Sequence, residues 1–195
     1  MQNIELYTHD GQRKYLTPSE RDHFITQAKT LGDLRQRTFC LTLAYSGCRI
    51  SEGLALNYQN IDIDAGQILL KTLKKRANKI RAVPVPPGHL EMLDLVHNIK
   101  VVQKQPQKAK DRLWPVTRMT GYRWVIRAMQ LAGISGAMAR PHGLRHAFGA
   151  QAAMHDIPLP LIQRWMGHSD LETTSIYLQL VGNEEKSFAG RMWQN

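Results

Sequence analysis

The stretch Pro141-His142-Gly143-Leu144-Arg145-His146 opens the last third of the chain. Residues three apart share a helical face, so His142 and Arg145 would present an imidazole and a guanidinium side by side. Downstream comes Met166-Gly167-His168-Ser169, and nine residues after His168 lies Tyr177, within Thr173-Thr174-Ser175-Ile176-Tyr177. Pro158, Pro160 and Gly167 punctuate this third into three short helices. Far upstream, Ser46-Gly47-Cys48-Arg49-Ile50-Ser51-Glu52 sets another arginine ahead of an apolar helix. Taken singly, each residue has an ordinary explanation. Arg49 can cap its helix or pair with Glu52. His142 can be a satisfied core histidine, and Tyr177, near Ile176 and Leu180, a core aromatic.

The rest of the chain frames these motifs. Residues 1–15 are polar and are expected as a flexible lead-in. Thr17-Pro18-Ser19-Glu20 announces a helix, with Thr17 as cap, Pro18 in the first helical position and Glu20 completing a capping box. Phe24, Ile25 and Ala28 follow at helical spacing. A second helix runs from about Leu34 to Tyr45 and stops at Gly47, and a short one spans Ile50 to Leu56. Ile61 and Ile63 then alternate with acids, and Asp64-Ala65-Gly66 reads as a turn. Ile68–Leu73 and Ile80–Val85 are strand-like, joined by the basic hairpin tip Lys74-Lys75-Arg76-Ala77-Asn78-Lys79, and Pro84, Pro86 and Pro87 end the sheet. Helices are expected over Gly88–Ile99 and Tyr122–Leu131, with a polar, basic loop at 103–111 between them. The whole is mostly helical with one small antiparallel sheet early in the chain.

The 195 residues suit one domain or two small ones, and 43% of them are hydrophobic, as in globular proteins. Twenty-six Lys and Arg against sixteen Asp and Glu give a formal charge of +10, which points to a polyanion: DNA, RNA or an anionic membrane. No stretch approaches the roughly 18 apolar residues of a membrane-spanning helix. The start of the chain carries Glu5, Asp10, Arg13 and Lys14 without an apolar run, unlike a secretory signal. Cys40 and Cys48 make neither a disulfide framework nor a zinc framework and fit a reducing cytosol.

In their order and spacing, the 46–52, 141–146 and 166–177 segments resemble the tyrosine recombinase or phage integrase family over about residues 16–180. That resemblance implies a mixed, mainly α catalytic domain with a small three-stranded antiparallel sheet. It implies a cytoplasmic, nucleoid-associated enzyme for site-specific integration, excision or inversion. Such an enzyme acts on double-stranded DNA, self-associates into a synaptic tetramer, and needs neither ATP nor a metal. The family's catalytic residues fall on Arg49, a hairpin lysine, His142, Arg145, His168 and Tyr177. Arginine forks suit nonbridging phosphate oxygens because they donate paired bonds and keep their charge. His142 and His168 add donors where charge develops in the transition state. Tyr177, with an ordinary phenol pKa near ~10, would be the nucleophile, leaving a 3′-phosphotyrosine and a free 5′ hydroxyl, with His142 as its proton acceptor. The lysine would protonate the departing 5′ oxygen. In the family it stands eight residues before the proline that ends the next strand, which here is Arg76, a poor general acid. Lys74, after Thr72-Leu73, is therefore preferred, with Lys75 next. Lys71, Lys79 and Arg81 read as phosphate contacts or solvated charge.

Rival uses of the same residues are weaker. His142 and His146 are spaced like zinc ligands on a helix, but no Glu adjoins His142 and no third ligand is evident, so His146 is expected as a structural support. A helix-turn-helix over Leu159–Leu180 would explain neither Arg49 nor the His142/Arg145 pair. A DNA-binding regulator that keeps the fold without cleaving, and a type IB topoisomerase, are the functional alternatives. Three segments are expected: the lead-in at 1–15, the catalytic domain at 16–183, and a C-terminal tail at 184–195. In the tail, Phe188, Met192 and Trp193 lie close to one helical face, ready to fold back or to dock on a neighbouring copy. Family members commonly begin with a helical core-binding domain. The resemblance therefore leaves two expectations: a piece of a longer protein, or a short member such as the fimbrial phase-switch invertases.

Overall fold

A computed structural model describes residues 6–72 and 79–180. Residues 74–78 of the basic hairpin tip, Lys74 and Lys75 among them, and the tail at 184–195 lie outside the described residues.

The first helix, α1 (Pro18–Thr30), starts on the expected capping box. The Thr17 side chain accepts from the Glu20 N–H, and Glu20 accepts from the Thr17 N–H at 2.7 Å. The second, α2 (Leu34–Ser46), begins on Asp33, whose carboxylate accepts the Arg35 and Gln36 N–H groups, and ends where Gly47 turns left-handed at φ 59°. Residues 38 to 44 are buried without interruption, so α2 is the central helix, wrapped on all sides rather than on one stripe. A short α3 (Ile50–Leu54) follows.

The sheet comes next. Among the described residues it has three strands, β1 (Ile61–Asp62), β2 (Gln67–Lys71) and β3 (Ile80–Pro84), in the order β1-β2-β3 and antiparallel throughout. Ile68 pairs with Val83 and Leu70 with Arg81, so Ile68, Leu70, Arg81 and Val83 all face inward.

The remaining helices close over α2. They are α4 (Pro87–His97), α5 (Ile99–Gln103), α6 (Arg118–Leu131), α7 (Pro141–Met154), α8 (Leu159–Met166) and α9 (Glu172–Ser175), the last continuing into a 3-10 turn at Ile176–Leu180. Helices α1, α4, α6 and α7 pack directly on α2. In that core Phe39 receives the edges of Trp114 and Trp124, with ring centroids 5.3 and 5.7 Å away.

Several expectations needed correction. The helix expected over 88–99 breaks at Asn98, which adopts the left-handed conformation (φ 53°) that asparagine tolerates, and the Asp94 carboxylate caps the restart at the Lys100 N–H. Helix α6 begins one turn earlier than expected because Thr117 caps it. The basic loop buries Ala109 inside a 3-10 turn. Within the polar lead-in, Leu6 and Tyr15 are buried, residues 7 and 13 pair as a β-bridge, and Arg13 holds Glu20 at 2.9 Å. Apolar residues sparse in sequence thus anchor a segment that composition alone marks as flexible.

Two buried histidines on α4 tie it to α2. His89 Nε2 lies 2.9 Å from Thr42 Oγ1, and His97 Nε2 lies 3.0 Å from Thr38 Oγ1. Burial lowers their pKa values from 6.5 to about 3 and about 4. Both stay neutral while folded, so below pH 6.5 the unfolded chain binds more protons than the folded one. Their stabilisation is complete above that pH and is lost as pH falls towards 4 and then 3. We expect unfolding free energy to be flat near pH 7.5 and to drop between pH 6.5 and 5, by up to about 1.4 kcal/mol per pH unit for each such histidine. Urea melts across that range check this; a flat profile would contradict it.

Candidate active site

Arg145 organises the site. It projects from α7 and is 3% exposed. Its Nη1 donates to the Gly47 carbonyl at 2.8 Å and its Nη2 to the Met166 carbonyl at 2.6 Å. One guanidinium therefore binds the loop after α2 and the end of α8 to α7. Arg49 lies two residues beyond Gly47 and His168 two beyond Met166, so segments distant in sequence meet on one side chain. A guanidinium has five N–H groups, and these two bonds leave three. Burial first, then the charge of Arg49, lowers the Arg145 pKa to about 10, so it stays charged at neutral pH.

Arg49 precedes α3. Its backbone N–H donates to Glu52 Oε2 at 2.8 Å and its Nη1 to Glu52 Oε1 at 3.1 Å. Its side chain keeps 32% of its surface, unlike the Glu52 side chain at 1%. Glu52 also receives a fork from Arg81, Nη1 to Oε1 at 3.2 Å and Nη2 to Oε2 at 2.7 Å. Burial, the largest influence, would raise the Glu52 pKa; the Arg81 fork and the Arg49 contacts together outweigh it, and the carboxyl is held below its ordinary value. Two guanidiniums, of Arg49 and Arg81, thus bind one carboxylate, and a third, of Arg145, is near enough to feel its charge, leaving positive charge for an anion.

The histidines are neutral. His142 and His146 stack edge to face on α7, centroids 4.4 Å apart. His168 Nδ1 lies 3.0 Å from Thr174 Oγ1. Burial, followed by the nearby charges, puts their pKa values at about 4 for His142, about 3 for His146 and about 3 for His168.

Tyr177 is fully buried in the 3-10 turn, and its hydroxyl lies 3.0 Å from His146 Nδ1. Burial raises the phenol pKa, and the opposing charge of Arg145 does not undo this. The ring rests on Gly149: a Cβ there would lie 2.5 Å from Tyr177 Cε2 and Cζ. Leu6, Tyr15, Ala150, Ala153 and Ile162 belong to the same cluster. Gly149→Ala should therefore push the ring out of its seat, destabilise the fold by about 1–3 kcal/mol and make Tyr177 more reactive to nitration. Thermal melts and peptide mapping after tetranitromethane check this; an unshifted melt with Tyr177 still protected would contradict it.

The structure brings His142 and His168 within reach of the charges of Arg49 and Arg145 and sets Tyr177 near Arg145, on His146 rather than on His142. Lys74 and Lys75 lie outside the described residues. Arg81 corrects the expectation of phosphate contact or solvated charge: it is 6% exposed and committed to Glu52. The missed signal was strand parity, because Arg81 shares its face with Val83.

Comparisons with known proteins agree with this fold. Residues 14–184 match the model of the phage integrase family. A tyrosine recombinase of Thermosipho africanus (strain TCF52B) is 29% identical over 174 residues, which cover 88% of this chain and 59% of that protein. Tyrosine recombinase XerD of Proteus mirabilis is 30% identical over 155 residues, covering 76% of this chain and 49% of the relative. The chain thus spans about half to three-fifths of the length of these two relatives. Among solved structures, XerH site-specific recombinase bound to its difH substrate superposes with a TM-score of 0.75 at 21% identity, covering 100% of this chain and 56% of that one. The catalytic domain of bacteriophage HP1 integrase gives 0.62 at 20% identity, covering 90% and 93%. Among the described residues no helix is long and apolar enough to cross a membrane. Matched from residue 14 to residue 184 and folded like these recombinases, the chain belongs to the phage integrase family of tyrosine recombinases.

Proposed function

We propose that this chain is the catalytic domain of a site-specific recombinase that cuts and rejoins double-stranded DNA through Tyr177. The observation that supports the proposal is the Arg145 tie, which joins the segments bearing Arg49 and His168 to the helix that bears His142, with positive charge near the phenol. The free N–H groups of Arg49 and Arg145 clamp the scissile phosphate. His142 and His168 donate to its oxygens as charge develops. The Tyr177 oxygen attacks phosphorus, forming a 3′-phosphotyrosyl bond while the bond to the 5′ oxygen breaks. The phenolic proton passes to an imidazole of the His142–His146 pair, and the 5′ oxygen takes a proton from Lys74 or Lys75. The phosphoester retains the bond energy, so the free 5′ hydroxyl can attack it in turn and restore the strand.

The nucleophile is stored. A fully buried phenol with a raised pKa, facing an imidazole with a lowered one, keeps its proton and stays out of reach of DNA. Cleavage therefore requires residues 172–180 to shift, and a bound phosphate favours this by drawing on the same cations. Recombination between two sites uses four such domains. We extend the proposal to a synaptic tetramer linked through residues 184–195, acting in the cytoplasm at the nucleoid.

The test is covalent capture on nicked suicide DNA, in EDTA and without ATP. A denaturant-resistant adduct is expected. DNA binding without an adduct would instead favour a non-cleaving regulator. The lysine is assigned on DNA with a 5′-bridging phosphorothiolate, whose leaving group needs no acid. Lys74→Ala should be slow on ordinary DNA and rescued on the thio substrate; rescue of Lys75→Ala with Lys74→Ala unaffected would move the assignment by one residue.

A further inference from the structure

We propose that Arg81 is a positioning residue for strand cleavage, fixing the end of α8, and with it His168, against the Glu52 carboxylate that orients Arg49. The proposal rests on the recombinase function proposed above and extends it to a residue outside that catalytic set.

Arg81 lies on β3 beside Ile80, which is 67% exposed, yet its own side chain is 5% exposed. A guanidinium so deeply buried must have its donors satisfied. Two go to Glu52, as described, and Nε donates to the Trp165 carbonyl at 2.8 Å. Trp165 and Met166 are the last residues of α8, where helix carbonyls lack intrahelical partners and the helix dipole is negative. Arg81 takes the first of these carbonyls and Arg145 takes the second. Two buried guanidiniums thus cap one helix end in succession.

The next residue makes the fit specific. Gly167 turns left-handed at φ 64°, and a Cβ there would lie 2.9 Å from Arg81 Cζ and 3.0 Å from its Nε. The backbone leading to His168 therefore crosses directly over the guanidinium. At the other end, Glu52 also holds the backbone N–H and Nη1 of Arg49. One chain of contacts runs from Arg49 through Glu52 and Arg81 to the Trp165 carbonyl and His168. All three guanidinium nitrogens of Arg81 are engaged with protein groups, Nε with the Trp165 carbonyl and both Nη with Glu52. Stability alone does not call for the group, since an apolar pair fills such a site at least as well. Lysine cannot reproduce the contacts, because its donors radiate from one nitrogen whereas these bonds leave three nitrogens of a planar fork.

The test compares wild type, Arg81→Lys, Gly167→Ala and the double variant in single-turnover cleavage of suicide DNA, DNA affinity and thermal melting. Gly66→Ala is the control, because Gly66 carries a similar positive φ of 72° with nothing within 4 Å of a built Cβ. Arg81→Lys should cleave roughly 100-fold more slowly, the scale of a small misplacement at a reacting centre, with DNA affinity unchanged. Gly167→Ala should show the same split, Gly66→Ala should cleave normally, and the double variant should be no slower than the slower single variant. A folded Arg81→Lys protein that cleaves at the wild-type rate would overturn the proposal, as would cleavage and binding falling in proportion. If Arg81→Lys does not fold, Gly167→Ala decides: normal cleavage overturns the proposal and the split supports it. A wild type that binds DNA without forming an adduct would remove the recombinase function itself, and this proposal with it.

Discussion

Tyr177→Phe is expected to bind DNA as the wild type does and to form no covalent adduct. The phenylalanine ring keeps the seat over Gly149 and loses only the hydroxyl. That hydroxyl partners His146 Nδ1 in a fully buried setting. Its loss leaves a buried imidazole nitrogen without a partner, at a cost of about 1–3 kcal/mol, so a modest drop in melting temperature should accompany the chemical effect. Gel shift, melting and suicide-substrate trapping separate the two. An adduct formed by Tyr177→Phe would mean that another side chain is the nucleophile.

Arg145→Lys should be the next most damaging change. The substitution keeps one positive charge and loses the fork. It breaks the bonds to the Gly47 and Met166 carbonyls, at 2.8 and 2.6 Å, and with them the joint between the segments bearing Arg49 and His168. Two consequences follow on different scales. Carbonyls left unpaired in the core cost about 1–3 kcal/mol each, visible as a lower melting temperature. Loss of preorganised donors around the phosphate slows cleavage by about 10²–10³-fold, measured in single turnover at a temperature where the variant is folded. DNA affinity should fall far less than cleavage. Equal losses would mark Arg145 as an ordinary phosphate anchor.

Local signals in the sequence foretold local structure. The capping box at Thr17 and the stop at Gly47 rest on side chains and backbone groups within a few residues of one another, and both are present. The strands followed their alternation, and the expected order of Arg49, His142, Arg145, His168 and Tyr177 falls on elements that converge. What escaped were partnerships across the fold. Arg81 and Glu52 are 29 residues apart, and His146 and Tyr177 are 31 apart. Nothing in the composition of either neighbourhood announces those bonds. Arginine on a short strand reads as a surface charge until the opposite wall supplies a buried carboxylate and a helix end. The lead-in misled for a related reason: Leu6 and Tyr15 are too few to make an apolar run, yet they suffice to seat the segment on the Tyr177 cluster.

The candidate site can be read from the sequence as a set of residues and not as a state. Sequence order offers Tyr177 as a candidate nucleophile; only the fold places its hydroxyl on His146, beneath the surface, where burial raises the phenol pKa. Gly149, which makes that storage possible, carries no chemical signature at all. Its role is the absence of a Cβ where an aromatic ring must lie.

The most direct measurement is to map the point of attachment. The chain is trapped on nicked suicide DNA, digested with protease and nuclease, and the DNA-linked peptide sequenced by mass spectrometry. One modified peptide is expected, containing Tyr177 in a phosphodiester with the 3′ end of the cleaved strand. Attachment at any other residue, or binding to the DNA site without attachment, would contradict it.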